Sequence, residues 1–407
     1  MPTFDNAPHD AVIVSACRSP IGRIRGALAP VRADDLLAQA FDEAFKRSGL
    51  DDKAVIDEAF AGCANQAGED NRNVARMSVL LGGFPQSVPG VTVNRLCASG
   101  LEAVVQASRA IRLGDVDACL AGGVENMSRA PFVMQKPETG YMVGAPAVFD
   151  TSLGWRFPNK KMEKLFPLEA MGQTAENLVD EHNINREDQD AFAYNSHQKA
   201  IAAQDNGWFD DELFSVSIPQ RKKDDLVVDK DEGPRKDSTV EKLGKLRAAF
   251  KEGGSVTAGN SSSLNDGSCA LVVTSRAFAE EKGLTIRATI RGSASAGVNP
   301  RTMGIGPVPA TQKLMQKLGL GIHDFDAVEL NEAFAAQSLA VIRSLELDEN
   351  KVNLHGGAIA LGHPLGCSGA RILTTLMGVL DRTDGKLGLA TLCVGVGQGL
   401  AVAIERA

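Results

Sequence analysis

No run of about eighteen apolar residues occurs in the chain, so the sequence offers no helix able to span a membrane. Basic residues are outnumbered, 43 Lys and Arg against 51 Asp and Glu, and a net charge of −8 supplies no field for nucleic acid. CxxC and HExxH patterns are missing, which argues against a structural zinc site. The seven cysteines are odd in number and follow no framework spacing, as expected in a reducing cytoplasm. The first residues lack a basic segment followed by an apolar core and are too acidic for a mitochondrial presequence. The last five, AIERA, form no peroxisomal address, so a cytoplasmic location is expected. What is present is ordinary for a globular protein: 407 residues, enough for two domains with full cores, 43% hydrophobic and 23% charged. Glycine, at 41, exceeds the usual share.

The first 128 residues alternate strand-like and helical patterns. AVIVSAC (11–17) is an apolar run with β-branched residues, residues 33–48 carry apolar positions at helical spacing, and EAFAGCA (58–64) and DACLAGG (117–123) are strand-like. Such alternation predicts a mostly parallel sheet covered by helices. From about 128 to 255 the texture changes. Trp155, Trp208, several prolines and charge blocks such as RKKDD (221–225) and DKDEGPRKD (229–237) mark an inserted, partly irregular domain. Within it, Asn185 as N-cap, Glu187 in the first turn and Asp188 at N3 predict a helix ending near Gly207. From 256 the apolar α/β pattern returns. VIDEAFAGC (55–63) is echoed by VELNEAFAAQ (328–337). Each is followed by a Val-Asn pair, a cysteine beside Ser and Gly (Cys97, Cys367), a helix and a Gly-rich strand. An ordered series of this kind predicts two copies of one α/β unit, with a cleft to which both contribute.

Cys97 stands between a short strand and an amphipathic helix in VTVNRLCASGLEAVVQASRAIRLG (91–114), with Leu101, Val104, Val105 and Ile111 at helical spacing and Gly114 as C-cap. A helix N-terminus favours the thiolate, and Ala98, Ser99 and Gly100 leave room for a substrate. Taken alone, a free cysteine is more often a packing residue. Four further segments reverse that balance. NEAFA (331–335) puts Asn331 and Glu332 just after an apolar strand, where α/β sheets face their ligand crevice; a helix N-cap at Asn331 is the competing reading. HGGAIALGHPLGCSGAR (355–371) frames His363 with glycines, and Pro364 fixes the turn after it. LCVGVGQGLAVAIE (392–405) ends a strand at Cys393 and leaves the Gly395 N–H unobstructed. Its GxGxG precedes a strand-like run, which speaks against a dinucleotide fingerprint. TAGNSSSLNDG (257–267) is a small-residue loop with donors for a narrow polar ligand arm, or an ordinary turn.

Two cysteines, a glycine-framed histidine and an asparagine fit one chemistry. A thiolate holds an acyl group, the histidine takes its proton, and the second thiol moves a proton on the other substrate. Donors at Asn331, His363 and the backbone would stabilise thioester oxyanions, each worth roughly 3–4 kcal/mol of barrier.

In order along essentially the whole chain, NRLCASG (94–100), GGVENMSRAP (122–131), MGQTAEN (171–177), TAGNSS (257–262), NEAFAAQ (331–337), GGAIALGHPLGCSGAR (356–371) and CVGVGQG (393–399) resemble the motifs of the thiolases, the acetyl-CoA acyltransferase family. The resemblance implies an α/β thiolase fold, two duplicated βαβαβαββ halves in five layers (αβαβα) with an inserted loop domain. The expected boundaries are 1–128 with 256–283 for the first half, 129–255 for the insertion and 284–407 for the second half. It implies that Cys97 is the nucleophile that becomes S-acylated, that His363 activates it and, with Asn331 through a water, lines one oxyanion hole, and that Cys393 is the acid/base at the acetyl α-carbon. The N–H groups of Cys97 and Gly395 would form the second oxyanion hole. Ser262 would contact pantetheine, Arg235 would lie near the CoA nucleotide, and Phe250, Met171, Met303 and Phe334 would line the acyl and pantetheine tunnel. Coenzyme A is then a substrate and acyl-CoA thioesters are the partners. No cofactor or metal is called for, and a homodimer or homotetramer is expected.

The departures bear on the acyl group. Biosynthetic acetoacetyl-CoA thiolases usually carry a histidine where this chain has Ala170, and GHPLGCSG is similar to degradative members, including those of fatty acid β-oxidation. DTSLGWRF (150–157), MSRAPFVM (127–134) and MGIGPVPA (303–310) are closer to thiolases acting on 3-oxoadipyl-CoA, although those typically differ at MGQ. Ser263 replaces the common glycine after the pantetheine serine. Acetoacetyl-CoA and 3-oxoadipyl-CoA both stay open as substrates. A ketoacyl-synthase-type condensing enzyme is the main rival, and Cys393 argues against it, because those sites generally lack a second catalytic cysteine. A non-catalytic lipid carrier on the same fold predicts loss of Cys97, His363 or Cys393, and all three are present. A cysteine hydrolase is the weakest reading.

Overall fold

The computed structural model describes residues 4–138, 140–141 and 143–407. Strand β1 (Ala11–Arg18) leads to helix α1 (Ala33–Arg47), β2 (Glu58–Gly62), α2 (Val74–Leu81), β3 (Gly90–Val93), α3 (Ser99–Leu113) and β4 (Ala118–Asn126). The insertion follows, with α4 (Met171–His182) and α5 (Arg186–Asp205), and then β5 (Asn265–Ser275). The second half repeats the plan with β6 (Ala288–Gly297), α6 (Pro307–Leu318), β7 (Ala327–Leu330), α7 (Ala335–Leu345), α8 (Leu365–Thr383), β8 (Leu387–Val394) and β9 (Gln398–Arg406). The strands line up as β3-β2-β4-β5-β1 and, continuing, β6-β9-β8-β7. Both halves thus share one order, except that the third strand of the second half is reduced to a bridge between Val328 and Val352. The letters shared by the sequence echo, EAFA, form β2 at 58–61 but lie beyond the end of β7 at 332–335, so the echo marks corresponding regions of the two halves without matching them residue for residue.

The sheet is not mostly parallel. Among the strands of the described residues, only β2–β3, β2–β4 and β7–β8 pair in parallel, the Val328–Val352 bridge aside. β5 and β9 run antiparallel to β4 and β8, and β1 meets β6 antiparallel at Val12–Thr289 and Ile13–Ala288. The reason lies in the connections, because a parallel pair needs a crossover whereas the short turn between β8 and β9 permits only an antiparallel return. Strand–helix alternation registers the crossovers and misses that return.

Three apolar clusters separate five layers. Phe41, Phe45 and Val79 of α1 and α2 cover one face of the first half, and Leu314 and Ile342 of α6 and α7 cover the far face of the second. Between the sheets, α3 and α8 contribute Leu101, Val104, Ile111, Ile372, Leu376 and Leu380 to a shared core. With both faces covered, β1 and β5 are buried at every residue, which explains the apolar runs Ala11–Val14 and Cys269–Val273 within them. Where α3 crosses α8 the backbones nearly touch: a methyl on Gly100 would lie 2.6 Å from the Gly366 carbonyl oxygen, and one on Gly369 2.4 Å from the Leu101 nitrogen. Ala98, Ser99 and Gly100 are all buried, so their small size admits the helix of the other half rather than a substrate.

The insertion is tied to the first half through Arg18. Its buried guanidinium donates to Glu212 at 2.6 Å and to both oxygens of Asp231 at 2.7 and 2.9 Å, and it stacks over Phe209. Within the insertion, the Asn185 side chain accepts from the Asp188 N–H at 2.7 Å, so α5 begins where its cap predicts. Among the described residues, no helix is long and apolar enough to cross a membrane.

Candidate active site

Cys97 lies in the single turn Leu96–Ala98 that feeds directly into α3. The turn is tight: Leu96 adopts φ +47°, a strained conformation for a branched side chain. Side chains hold it there. Asn94 Oδ1 accepts from the Leu96 N–H at 2.8 Å, while Ser99 Oγ accepts from the Arg95 N–H at 2.9 Å and donates to the Leu96 carbonyl at 2.7 Å. The backbone N–H groups of Gly395 and of Cys97 itself lie near enough to the sulfur to favour its thiolate. Burial nevertheless dominates and pushes the thiol up to about 11, with the Glu125 carboxyl adding to the rise. The resting residue is therefore a thiol. Helix position alone predicted a favoured thiolate; desolvation outweighs the two amide dipoles.

His363 follows Gly362, whose φ of +113° and close approach to Asn265 exclude a side chain: a methyl there would meet the Asn265 amide group at 2.3 Å. Asn265 Oδ1 in turn accepts from the His363 N–H at 3.0 Å. The ring is fixed from both ends. Its Nδ1 lies 2.6 Å from Ser368 Oγ, and its Nε2 lies 3.5 Å from Asn331 Nδ2. Ser368 Oγ also lies 2.9 Å from the Pro364 carbonyl, an obligate acceptor; with its single proton donated there, the ring supplies the proton on the Nδ1 side. Nε2 is then the bare nitrogen, consistent with an amide donor facing it. Burial, and next the charge of Arg371, pull the imidazole down to about 3, so it is neutral and basic at Nε2.

Asn331 is fully buried just beyond β7, its N–H bonded to the Thr391 carbonyl of β8 at 3.0 Å. Its Oδ1 has no hydrogen-bond partner among the described residues. The competing N-cap reading fails, because α7 starts at Ala335 with Phe334 as its cap residue. Glu332 does not face the crevice. It is buried and accepts from Ser196 Oγ at 2.6 Å, Asn353 Nδ2 at 2.8 Å and the Ile359 N–H at 3.1 Å, which makes it a scaffold for the segment leading to His363.

Cys393 is completely buried near the end of β8, and burial together with the neighbouring Cys97 sulfur raises its thiol well above the ordinary value. The next turn carries Gly395, Val396 at φ +63° and Gly397 at φ +81°, and it returns the chain into β9 rather than into a helix. A methyl on Gly395 would meet Leu96 Cδ1 at 3.1 Å and Met171 Sδ at 3.8 Å. Cys393, Met303 and Phe334 share one apolar cluster, with Met171 packed against it. Phe250 joins edge-to-face with Phe334, centroids 6.1 Å apart, and lies on Gly172, where a methyl would come within 2.2 Å of its ring. Ser262 is held against the same wall through its N–H to the Ala333 carbonyl at 3.0 Å, and its hydroxyl makes no hydrogen bond among the described residues. Arg235 is exposed, and its N–H meets His197 Nδ1 at 3.3 Å. No contact among the described residues ties it to the cluster around Cys97.

With this geometry in place, the comparisons are specific. The sequence matches the family "Thiolase, N-terminal domain" over residues 11–277 and "Thiolase, C-terminal domain" over residues 284–406. The chain belongs to the thiolase family. It is 53% identical to a beta-ketoadipyl-CoA thiolase of Pseudomonas aeruginosa, over 98% of this chain and 99% of that protein. It is 51% identical to the Escherichia coli 3-oxoadipyl-CoA/3-oxo-5,6-dehydrosuberyl-CoA thiolase, over 98% of this chain and all of that one. The crystal structure of the Bacillus anthracis acetyl-CoA acetyltransferase superposes with a TM-score of 0.93 at 43% identity, covering 99% of this chain and 100% of that chain. The architecture above is thus the thiolase fold, and the chain is an acyltransferase.

Several residues that support this thiolase site escaped the sequence reading. Glu125 is the most central: its buried carboxyl accepts from the N–H groups of Ala64 at 2.9 Å, Asn65 at 3.2 Å and Gly366 at 2.9 Å. It thereby joins the end of β2 to the start of α8. Burial raises it to about 7. Cys63 and Asp70 bring their ligand-type atoms to within 4.8 Å of it, but its oxygens are already occupied by backbone donors. Ser368 and Asn265 were visible as letters of quoted motifs, and only their hydrogen bonds reveal that they fix His363.

Proposed function

We propose that this thiolase cleaves 3-oxoadipyl-CoA with coenzyme A, reversibly, through an S-acyl-Cys97 intermediate. The observation that carries the mechanism is that the Cys97 turn, the Gly395 turn and the buried Cys393 thiol meet: Gly395 abuts Leu96 of the Cys97 turn, and the Cys97 sulfur neighbours Cys393 closely enough to raise its thiol. Because thiol and imidazole are both neutral at rest, the proton passes from Cys97 to His363 Nε2 as the sulfur attacks the 3-oxo carbonyl. The resulting alkoxide collapses, the bond between C2 and C3 breaks, and Cys393 protonates the departing acetyl-CoA carbanion. The Cys393 thiolate then takes the proton of incoming CoA, whose sulfur attacks the acyl-Cys97 thioester, and Cys97 leaves as thiol after recovering its proton from His363. Asn331 and His363 serve one oxyanion and the Cys97 and Gly395 N–H groups the other. The sequence of steps needs no metal and no cofactor beyond CoA. Ser262 and Arg235 are assigned to the pantetheine arm and the nucleotide, and Phe250, Met171, Met303 and Phe334 to the tunnel wall.

The acyl choice is supported by the two relatives above, at 53% and 51% identity over nearly full length, whose names specify ketoadipyl or oxoadipyl substrates. Thiolysis kinetics across acetoacetyl-, medium-chain 3-oxoacyl- and 3-oxoadipyl-CoA test it: the highest kcat/KM is expected for 3-oxoadipyl-CoA, and a higher value for either other class overturns the choice. A homodimer or homotetramer in the cytoplasm completes the reading. It is supported by the edge position of β3, with Val91 exposed on it, and by seven unpaired cysteines. Light scattering on the purified protein checks the subunit number.

A further inference from the structure

A dicarboxylic acyl chain brings a negative charge into a site whose floor is two thiols, an imidazole and apolar side chains. Some cation must meet it. Trp155 and Arg156, in the insertion, are bonded to two segments that lead into the site. The Trp155 indole N–H donates to the Glu169 carbonyl at 3.1 Å, just before Ala170 and Met171, and Met171 faces Gly395. Arg156 Nη2 donates to the Asn65 carbonyl at 3.0 Å. Asn65 adjoins Ala64, whose carbonyl accepts from Asn94 Nδ2 at 3.0 Å, and Asn94 holds the turn that presents Cys97. The segment is anchored behind as well: Thr151 Oγ1 donates to the Pro131 carbonyl at 2.6 Å, and Asn65 Nδ2 donates to the Thr151 carbonyl at 3.2 Å.

Arg156 is half-buried and spends one donor on a neutral carbonyl. Among the described residues it has no carboxylate at ion-pair distance. Other arginines are paired, Arg95 with Glu102, Arg129 with Glu69 and Arg301 with Glu169. A partly desolvated guanidinium with most of its fork unused is matched in charge and shape to a carboxylate. We infer that Arg156 binds the distal carboxylate of the acyl group and thereby sets the preference for dicarboxylic 3-oxoacyl thioesters. The inference rests on the 3-oxoadipyl-CoA reading above.

The experiment compares kcat/KM for thiolysis of 3-oxoadipyl-CoA with that for 3-oxohexanoyl-CoA, which has the same chain length and no distal charge, in wild type, R156Q and R156K. In R156Q the ratio of the two falls roughly thirtyfold, the worth of a charge-assisted contact, and R156K is intermediate because it keeps charge without the fork. A ratio within about threefold of wild type, or equal losses on both substrates and on acetoacetyl-CoA, overturns the inference, since all three share the CoA moiety. If R156Q does not fold, the wild type decides: added salt raises KM for 3-oxoadipyl-CoA more than for 3-oxohexanoyl-CoA, and identical responses overturn the assignment. A wild-type ratio near one overturns the acyl reading itself, whatever the variants do.

Discussion

Gly395 and Cys97 stand against each other across the two halves: the Gly395 N–H lies near enough to the Cys97 sulfur to favour its thiolate, and a methyl on Gly395 would lie 3.1 Å from Leu96 Cδ1 in the Cys97 turn. Residues of both halves meet at this point. The duplicated architecture brings them together because α3 and α8 pack backbone to backbone at Gly100 and Gly369, directly behind the Cys97 turn.

This contact is tested by the amide itself. Gly395→Pro removes the N–H and is expected to lower kcat about 100-fold or more, the usual loss for one oxyanion donor. Gly395→Ala keeps the N–H and meets only side-chain atoms of Leu96 and Met171, so it retains most of the rate. Equal losses in the two variants would assign the glycine to space alone.

Acetyl-CoA should add one acetyl mass to the intact protein, and Cys97→Ala should abolish it. An unmodified wild type under turnover conditions removes Cys97 from its role. Cys393→Ala is expected to acetylate still but to turn over poorly in thiolysis and condensation, by roughly 100- to 10,000-fold for loss of a general acid–base group. Full turnover would take Cys393 out of the proton transfer.

Burial lifts the Cys97 thiol from 9.0 to about 11. Alkylation by iodoacetamide, followed at the Cys97 peptide, therefore keeps accelerating from pH 9 to 11, whereas an ordinary thiol levels off near pH 9. The raised value also has a stability sign. The folded state retains a proton that the unfolded chain releases, so this contribution is fully present below pH 9 and is lost as pH rises through 11. The urea midpoint of wild type is expected to fall more steeply in that window than that of Cys97→Ala.

Two glycines separate packing from propensity. A methyl on Gly123 would lie 2.0 Å from the Gly366 carbonyl oxygen, backbone that cannot yield cheaply, so Gly123→Ala is expected to cost about 3 kcal/mol and to disturb the start of α8. Gly378, within α8, has nothing within 4 Å of such a methyl. There alanine is expected to stabilise by about 0.5–1 kcal/mol through helix propensity. Denaturant unfolding of both variants checks the pair.

Much of the fold was legible because it is written in local periodicity. The strand at 11–17, the helix at 33–48 and the capped helix from Asn185 each depend on residues within one element, whereas the EAFA echo located the second copy without its register, since 58–61 are strand and 332–335 follow one. Strand direction was not legible, since it follows from how short turns return the chain. Nor was the vestigial third strand of the second half, where Val352 retains a single bridge. At the site, Cys97, His363, Asn331, Cys393 and Gly395 were nameable from motif, whereas the purpose of Ala98, Ser99 and Gly100 was misread. Smallness in sequence does not say which neighbour it accommodates.

The sequence by itself determined which reactive groups exist and in which duplicated unit each resides, because residue type and order are chemical facts that precede folding. Only the tertiary structure decided their protonation and reach. Burial keeps Cys97 a thiol despite its helix. The Ser368 bond to the Pro364 carbonyl selects the Nε2-basic tautomer of His363. Arg156 is half-buried against the Asn65 carbonyl with no carboxylate partner among the described residues, and no local pattern shows that. Each of these depends on desolvation and on hydrogen-bond partners far apart in the chain, quantities that come into being only when the two halves close on one another.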